Sequence, residues 1–107
     1  SNEPTLKQAI DFVHRHYAEN LKLGTIAEMF HYNSGYFGKI FRNYTGDSFR
    51  TYLDKVRVRH AAELLSKGVK VNQAAAMVGY PNSDYFHAKF KKYMGTSPSR
   101  YKRGSSD

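Results

Sequence analysis

Apolar residues along this chain recur with the spacing of helices rather than of strands. Leu6, Ala9, Ile10, Val13 and Tyr17 fall three or four apart behind Pro4, which predicts a helix over residues 5–19. Phe37, Ile40, Phe41 and Tyr44 lie at i, i+3, i+4 and i+7, the stripe that one buried helix face requires, and predict a helix over 34–44. Phe49, Tyr52, Leu53, Val56, His60, Ala61, Leu64 and Leu65 carry a further stripe over 49–67, with Ser48 as cap and Gly68 as stop. At about 1.5 Å per residue that helix is about 28 Å long. Short helices are predicted over 23–30 and 71–78, a longer one over 83–93, and a last turn around Pro98 to Lys102. No segment alternates apolar and polar residues as a half-buried strand does. The expected fold class is all-α, with about seven helices.

The pattern repeats itself. Residues 36–52 read YFGKIFRNYTGDSFRTY and residues 85–101 read YFHAKFKKYMGTSPSRY. At an offset of 49, Tyr36/Tyr85, Phe37/Phe86, Phe41/Phe90, Tyr44/Tyr93, Gly46/Gly95, Ser48/Ser97 and Tyr52/Tyr101 are identical. Upstream the offset is 48, pairing Ala27 with Ala75, Phe30 with Val78 and Tyr32 with Tyr80, so the second copy gained a residue near Pro81. Solenoids need three or more repeats, so two copies imply two similar subdomains. In each copy a short helix leads through a tight turn to a second helix, where Asn33 or Asn82, or the Ser after it, serves as cap. Gly46 and Gly95 end that second helix.

Composition narrows the chemistry. The 107 residues suffice for one modest domain, and 40% of them are hydrophobic, which marks a globular chain. Without cysteine there is no disulfide framework, thiolate zinc site or thiol nucleophile. No apolar run reaches the ~18 residues of a bilayer span. Seventeen Lys+Arg against nine Asp+Glu leave a formal charge of +8 and a sequence pI near 9.8. Lys89, Lys91, Lys92, Arg100, Lys102 and Arg103 stand in residues 86–103 without an acid, whereas residues 1–36 are nearly balanced. A basic, Cys-free domain of this kind points to the cytoplasm and to an anionic partner.

Helix, tight turn and second helix with polar exposed positions make the helix-turn-helix pattern, whose second helix fits a major groove about 12 Å wide. The aromatics Tyr36, Phe37, Phe41, Tyr85, Phe86 and Phe90 resemble a base-stacking platform, but on amphipathic helices they read as core. Arg57 sits near the apolar stripe of the long helix and reads as structural. None of His14, His16, His31, His60 and His87 has a metal-ligating residue at i+4, and no nucleophile–base pair or phosphate loop is visible, so neither metal, cofactor nor enzymatic activity is expected.

Residues 71–103, VNQAAAMVGYPNSDYFHAKFKKYMGTSPSRYKR, resemble the C-terminal signature of the AraC/XylS transcription regulators, roughly I-x-E-I-A-x-x-V-G-F-x-[DN]-x-x-Y-F-x-x-x-F-K-K-x-x-G-x-[ST]-P-x-x-Y-R. Ala27, Tyr52-Leu53, Arg57, Ala61 and Leu64-Leu65 extend the likeness over about residues 5–103. The resemblance implies a first helix-turn-helix unit at about 23–45, a linker helix at about 49–67 and a second unit at about 71–94. It assigns base-facing positions to Ser34, Gly35, Gly38 and Lys39 in the first unit, and to Asn82, Ser83, Asp84, His87 and Ala88 in the second. Arg42, Lys91 and Lys92 are expected on phosphates. The family often carries larger side chains at the Gly35 and Gly38 positions and Arg at that of Ala88, so base readout here is expected to be sparse and to lean on thymine methyls and duplex shape. His31 stands where Gly79 keeps the family's turn glycine, so the first turn is expected to be less regular.

The resulting expectation is sequence-specific double-stranded DNA binding by the C-terminal domain of a bacterial transcription regulator, reading two successive major grooves. The competing class is a basic helical interaction module without base preference. By resemblance, RNA polymerase is a second partner, the isolated domain is monomeric, and the full-length protein is dimeric through a sensing or receiver domain not present here. Ser1-Asn2 has the look of what tag removal leaves. A stiff linker helix predicts DNA contacts in two segments about 10–10.5 base pairs apart. Inserting five base pairs between the segments should abolish tight binding in a footprinting titration; unchanged affinity would refute two-segment engagement.

Overall fold

The computed structural model describes residues 1–105. Seven helices follow in order: α1 (Glu3–His16), α2 (Leu23–Met29), α3 (Ser34–Thr45), α4 (Phe49–Ser66), α5 (Val71–Met77), α6 (Ser83–Met94) and α7 (Pro98–Ser105). No strand occurs among the described residues. The expected elements are present with displaced ends. The helix expected over 5–19 starts earlier, because Pro4 fits a first helical turn where its missing N–H is not needed. It also stops earlier, where Glu19 N–H turns back onto the His16 carbonyl at 3.0 Å. The turn expected at Pro98 is a full helix, α7, whose first turn is capped by Ser97 Oγ accepting from Arg100 N–H at 3.2 Å.

The chain forms two compact units, divided between Leu53 and Asp54, so that α4 contributes to both. In the first, Leu6, Ala9 and Val13 of α1 pack with Ile26 and Ala27 of α2, Phe37 and Phe41 of α3, and Phe49 and Leu53 of α4. Phe41 meets Phe49 and Tyr52 edge-on, with ring centroids 5.7 and 5.4 Å apart. In the second unit the buried residues include Val58, Ala61 and Leu65 of α4, Ala74 and Ala75 of α5, Val78, and Phe86 and Phe90 of α6. Phe90 meets Tyr101 edge-on at 5.6 Å, the counterpart of Phe41 on Tyr52. The sequence repeat is therefore also a packing repeat: α1, α2, α3 and the start of α4 correspond to α4, α5, α6 and α7. Truncating a phenylalanine buried in this way typically costs about 3–5 kcal/mol, a large share of a domain's stability.

Two expectations about burial are corrected. The long helix does not bury one simple stripe: Asp54, Arg57, Val58 and Ala62 are buried as well, while His60 and Leu64 are only half-buried. Asp54, Arg57, Val58 and Ala62 all belong to the second unit. Tyr36 and Tyr85, expected in the core, are 50% and 39% exposed. Each precedes a buried Phe by one residue and so stands about 100° round the helix from it. Arg57 is structural as read, 6% exposed with its guanidinium 5.4 Å from the Tyr80 ring centre.

The first turn is as regular as the second, contrary to expectation. His31 adopts φ 61° and Gly79 φ 99°. In both copies the same two hydrogen bonds close the turn: His31 N–H to Glu28 O and Tyr32 N–H to Ala27 O, then Gly79 N–H to Ala76 O and Tyr80 N–H to Ala75 O, all between 2.9 and 3.1 Å. The surrounding turn imposes the left-handed conformation, and His31 bears a strain that glycine would not. His31→Gly should therefore stabilise the protein by about 0.5–1 kcal/mol, seen as a rise of several degrees in thermal unfolding. Gly79→Ala should shift the melt the other way.

Candidate nucleic-acid interface

Helices α2 and α3 form one helix-turn-helix and α5 and α6 the other. Both second helices start identically. Asn33 Oδ1 accepts from Tyr36 N–H at 3.1 Å and Asn82 Oδ1 from Tyr85 N–H at 2.9 Å, each relieving a first-turn donor that has no helical partner. Both end at a left-handed glycine, Gly46 (φ 86°) and Gly95 (φ 80°). Between these ends the buried Phe pair turns one side of the helix inward, which leaves the opposite side to solvent.

In the first unit Gly35, Lys39 and Arg42 lie toward that outer side and Ser34 begins the helix, all exposed. Gly38, three residues after Gly35 and four before Arg42, is less exposed than they are. It is half-buried, and a Cβ there would stand 3.0 Å from Leu23 Cδ2. The glycine lets α3 approach α2 closely, so it has a packing role at a position one turn after Ser34 and Gly35. The corresponding pair in the second copy is Val71 and His87, a smaller residue on the first helix and a larger one on the second. At Gly35 a Cβ would come 3.3 Å from the capping Asn33 Oδ1, so a small residue suits the cap.

In the second unit Asn82, Ser83, Asp84, His87, Ala88, Lys91 and Lys92 are all exposed. Asn82 has its carboxamide oxygen engaged by the cap, which leaves its Nδ2 hydrogens to point elsewhere. His87 Nδ1 lies 2.7 Å from the Ser83 carbonyl oxygen, so this nitrogen carries the hydrogen and donates it. In the neutral ring Nε2 is then an acceptor on the outer edge. Asp84 is an acid in a basic helix, and in the first turn it is favoured by the helix dipole. Lys92 Nζ sits 5.6 Å from the Tyr93 ring centre and Lys89 Nζ 5.2 Å from that of Tyr85. No group of three or more metal-ligating side chains comes together among the described residues, and none of their helices is long and apolar enough to cross a membrane.

A polar cluster that the sequence reading passed over lies behind α6. Asp54 of α4 is 1% exposed and accepts at both oxygens, from Tyr80 Oη at 2.7 Å and Tyr85 Oη at 3.1 Å. Burial, then the hydrogen bond and the negative charge of Asp54, push the Tyr80 phenol far above its ordinary range, while Arg57 pulls it back. The first unit has a neutral counterpart: Tyr32 Oη donates to Asn2 Oδ1 at 2.9 Å, and Asn2 Nδ2 donates to Tyr36 Oη at 3.0 Å. The repeated tyrosines, Tyr32/Tyr80 and Tyr36/Tyr85, were the available signal.

A family model described as a helix-turn-helix domain matches residues 26–104. The uncharacterised transcriptional regulatory protein YesN of Bacillus subtilis is 38% identical over 88 residues, which cover 78% of this chain and 24% of YesN. The uncharacterised HTH-type transcriptional regulator YijO of Escherichia coli is 34% identical over 106 residues, covering 96% of this chain and 37% of YijO. The chain thus spans about a quarter to somewhat over a third of these relatives. Among solved structures, the C-terminal domain of AraT, a response regulator from Geobacillus stearothermophilus, superposes with a TM-score of 0.89 at 34% identity, covering 94% of this chain and 85% of that one. The DNA-binding domain of the transcriptional factor AdpA, solved in complex with a target DNA, shares the fold with a TM-score of 0.88 at 24% identity, covering 94% of this chain and 91% of that one. With both helix-turn-helix units in place and the family match running through most of the chain, this protein belongs to the AraC/XylS family of helix-turn-helix transcription regulators.

Proposed function

We propose that this chain is the DNA-binding domain of a bacterial transcription regulator and that it reads double-stranded DNA sequence-specifically, with one helix-turn-helix in each of two major-groove segments. The observation that carries the reading is the matched pair of Asn-capped second helices. Each buries a Phe pair and turns a polar face outward. Major-groove recognition needs such a helix, because side chains at its N-terminal end reach base edges while the rest of the helix stays anchored. The relatives' names as transcriptional regulators and the fold seen with DNA in AdpA support it.

In this reading Lys39 is the long donor of α3, suited to guanine O6 and N7, with Ser34 and Gly35 beside it. In α6, Ser83, Asp84 and the Nδ2 hydrogens of Asn82 face the bases at the first turn, with His87 and Ala88 one turn on. Ala88 offers a methyl group for thymine. Arg42, Lys91 and Lys92 hold phosphates, which set register and supply most of the affinity without carrying sequence information. The domain acts in the cytoplasm as a binding module without a catalytic step, monomeric by itself. In a longer, dimeric protein it would present bound DNA to RNA polymerase.

If several phosphates are neutralised, log affinity should fall with log salt at a slope of about −0.9 per phosphate contact, as measured by fluorescence anisotropy on a selected duplex. A flat response, or equal affinity for all duplexes, would favour the basic interaction module instead. Lys39→Ala should cost about 1–3 kcal/mol on the best site and relax the preference at one base position. Lys91→Ala should weaken every duplex alike and reduce the salt slope by about one. Site selection from a random duplex library, run on both variants, separates the two roles.

A further inference from the structure

Asp54 and Arg57 are the buried charged side chains among the described residues, and no contact with DNA calls for either. A carboxylate withdrawn from water is costly unless its oxygens are hydrogen-bonded, and here both are, by tyrosines from two different parts of the second helix-turn-helix. Tyr80 belongs to the turn and Tyr85 to the first turn of α6. We propose that Asp54 is the positioning residue of the second recognition helix, fixing through Tyr80 and Tyr85 the rotation of α6 about its own axis.

Geometry supports this. A helix held only by a buried stripe, here Phe86 and Phe90, is free to roll by small angles around that stripe. Tyr85 lies about 100° round the helix from Phe86, so a tie there removes that freedom. Its backbone N–H is bound by Asn82 and its hydroxyl by Asp54, so one residue is gripped at both ends. Asn82, Ser83, Asp84, His87 and Ala88, the residues assigned to bases, all lie within three positions of it. A roll would move them sideways across the base edges while leaving the more tolerant phosphate contacts of Lys91 and Lys92 largely intact.

The first unit makes the corresponding pair of contacts with a neutral side chain. Asn2 accepts from Tyr32 and donates to Tyr36, whereas Asp54 can only accept, so both tyrosine hydrogens are committed to it. An amide at position 54 could still accept from Tyr80 and donate to Tyr85, as Asn2 does with its own pair.

The functional half of the inference rests on the DNA-reading conclusion; the structural half does not, and the test separates them. Wild type, Tyr85→Phe, Asp54→Asn and Asp54→Ala are compared for thermal unfolding, for amide hydrogen exchange at Tyr85 and Phe86 without DNA, and for affinity to the best selected duplex and to a random-sequence duplex at one salt concentration. Tyr85 is partly exposed, so its loss of one hydroxyl leaves the core filled. With a bond to a charged group removed, Tyr85→Phe should accelerate exchange at both amides by about tenfold and shrink the ratio of best to random affinity by a comparable factor. Affinity for the random duplex should hold. Asp54→Asn should keep the ratio within about twofold, because the amide preserves both contacts. Asp54→Ala should lose the ratio, and if it fails to fold, Tyr85→Phe alone decides. Unchanged exchange and ratio in Tyr85→Phe would overturn the proposal. So would an equal loss on both duplexes that tracks a lower melting temperature, which is what a merely structural bond would give. If the wild type itself does not distinguish the duplexes, the DNA reading fails, and exchange alone decides whether Asp54 holds α6.

Discussion

Two phenylalanines four residues apart, withdrawn entirely from water, are the constraint on which each half of this protein depends. Phe37 and Phe41 do this for α3, and Phe86 and Phe90 for α6. Aromatic burial of this size is the largest single apolar contribution either unit makes. By turning one side of the helix inward it determines which residues stand on the other. The outward face of Lys39 and Arg42, or of Asp84, Ala88 and Lys91, is thus a consequence of the core. The asparagine caps and left-handed glycines then trim the helix ends, so that both copies present the same length of helix from the same starting point.

Around this shared frame the copies have diverged in ways that packing explains. Gly38 opposes Leu23, a large residue against none, while the second copy carries Val71 and His87 at those positions. The exchange turns a position spent on helix–helix approach into one with a polar ring at the surface. The turn shows the opposite behaviour, since His31 and Gly79 differ in chemistry yet follow the same path. A turn closed by two backbone hydrogen bonds dictates its own dihedrals, and histidine tolerates the left-handed region better than most residues.

The tyrosine clusters show one solution built from different polar chemistry. In both copies a turn tyrosine and a tyrosine in the first turn of the second helix converge on one side chain near the start of an earlier helix: Asn2 beside α1, or Asp54 within α4. With the amide the group is neutral and half-exposed; with the carboxylate it is buried, charged and accompanied by Arg57 over the Tyr80 ring. The cost of removing Asp54 from water is offset by two hydroxyl donors, and such a fully bonded polar group specifies geometry more narrowly than apolar packing does.

The sequence by itself determined the helix count, the repeat and the two helix-turn-helix units, because helical periodicity and capping are local signals that neighbouring residues carry. It was sufficient also for the Gly46 and Gly95 stops and the structural nature of Arg57, and it narrowed each cap to an Asn or the Ser after it, of which the structure uses Asn33 and Asn82. What it left open depends on residues distant in the chain. That Gly38 lets α3 approach Leu23 of α2 is visible only once the two helices are packed. Tyr36 and Tyr85 looked like core because they adjoin core residues, and only the helix rotation moved them to the surface. Asp54 was one acid among nine, and nothing in its neighbours marks it as buried. Its role exists only because Tyr80 and Tyr85, 26 and 31 residues further on, bring their hydroxyls to it. Periodicity reports which face of a helix is apolar; which side chains from other elements meet that face is decided by tertiary packing alone.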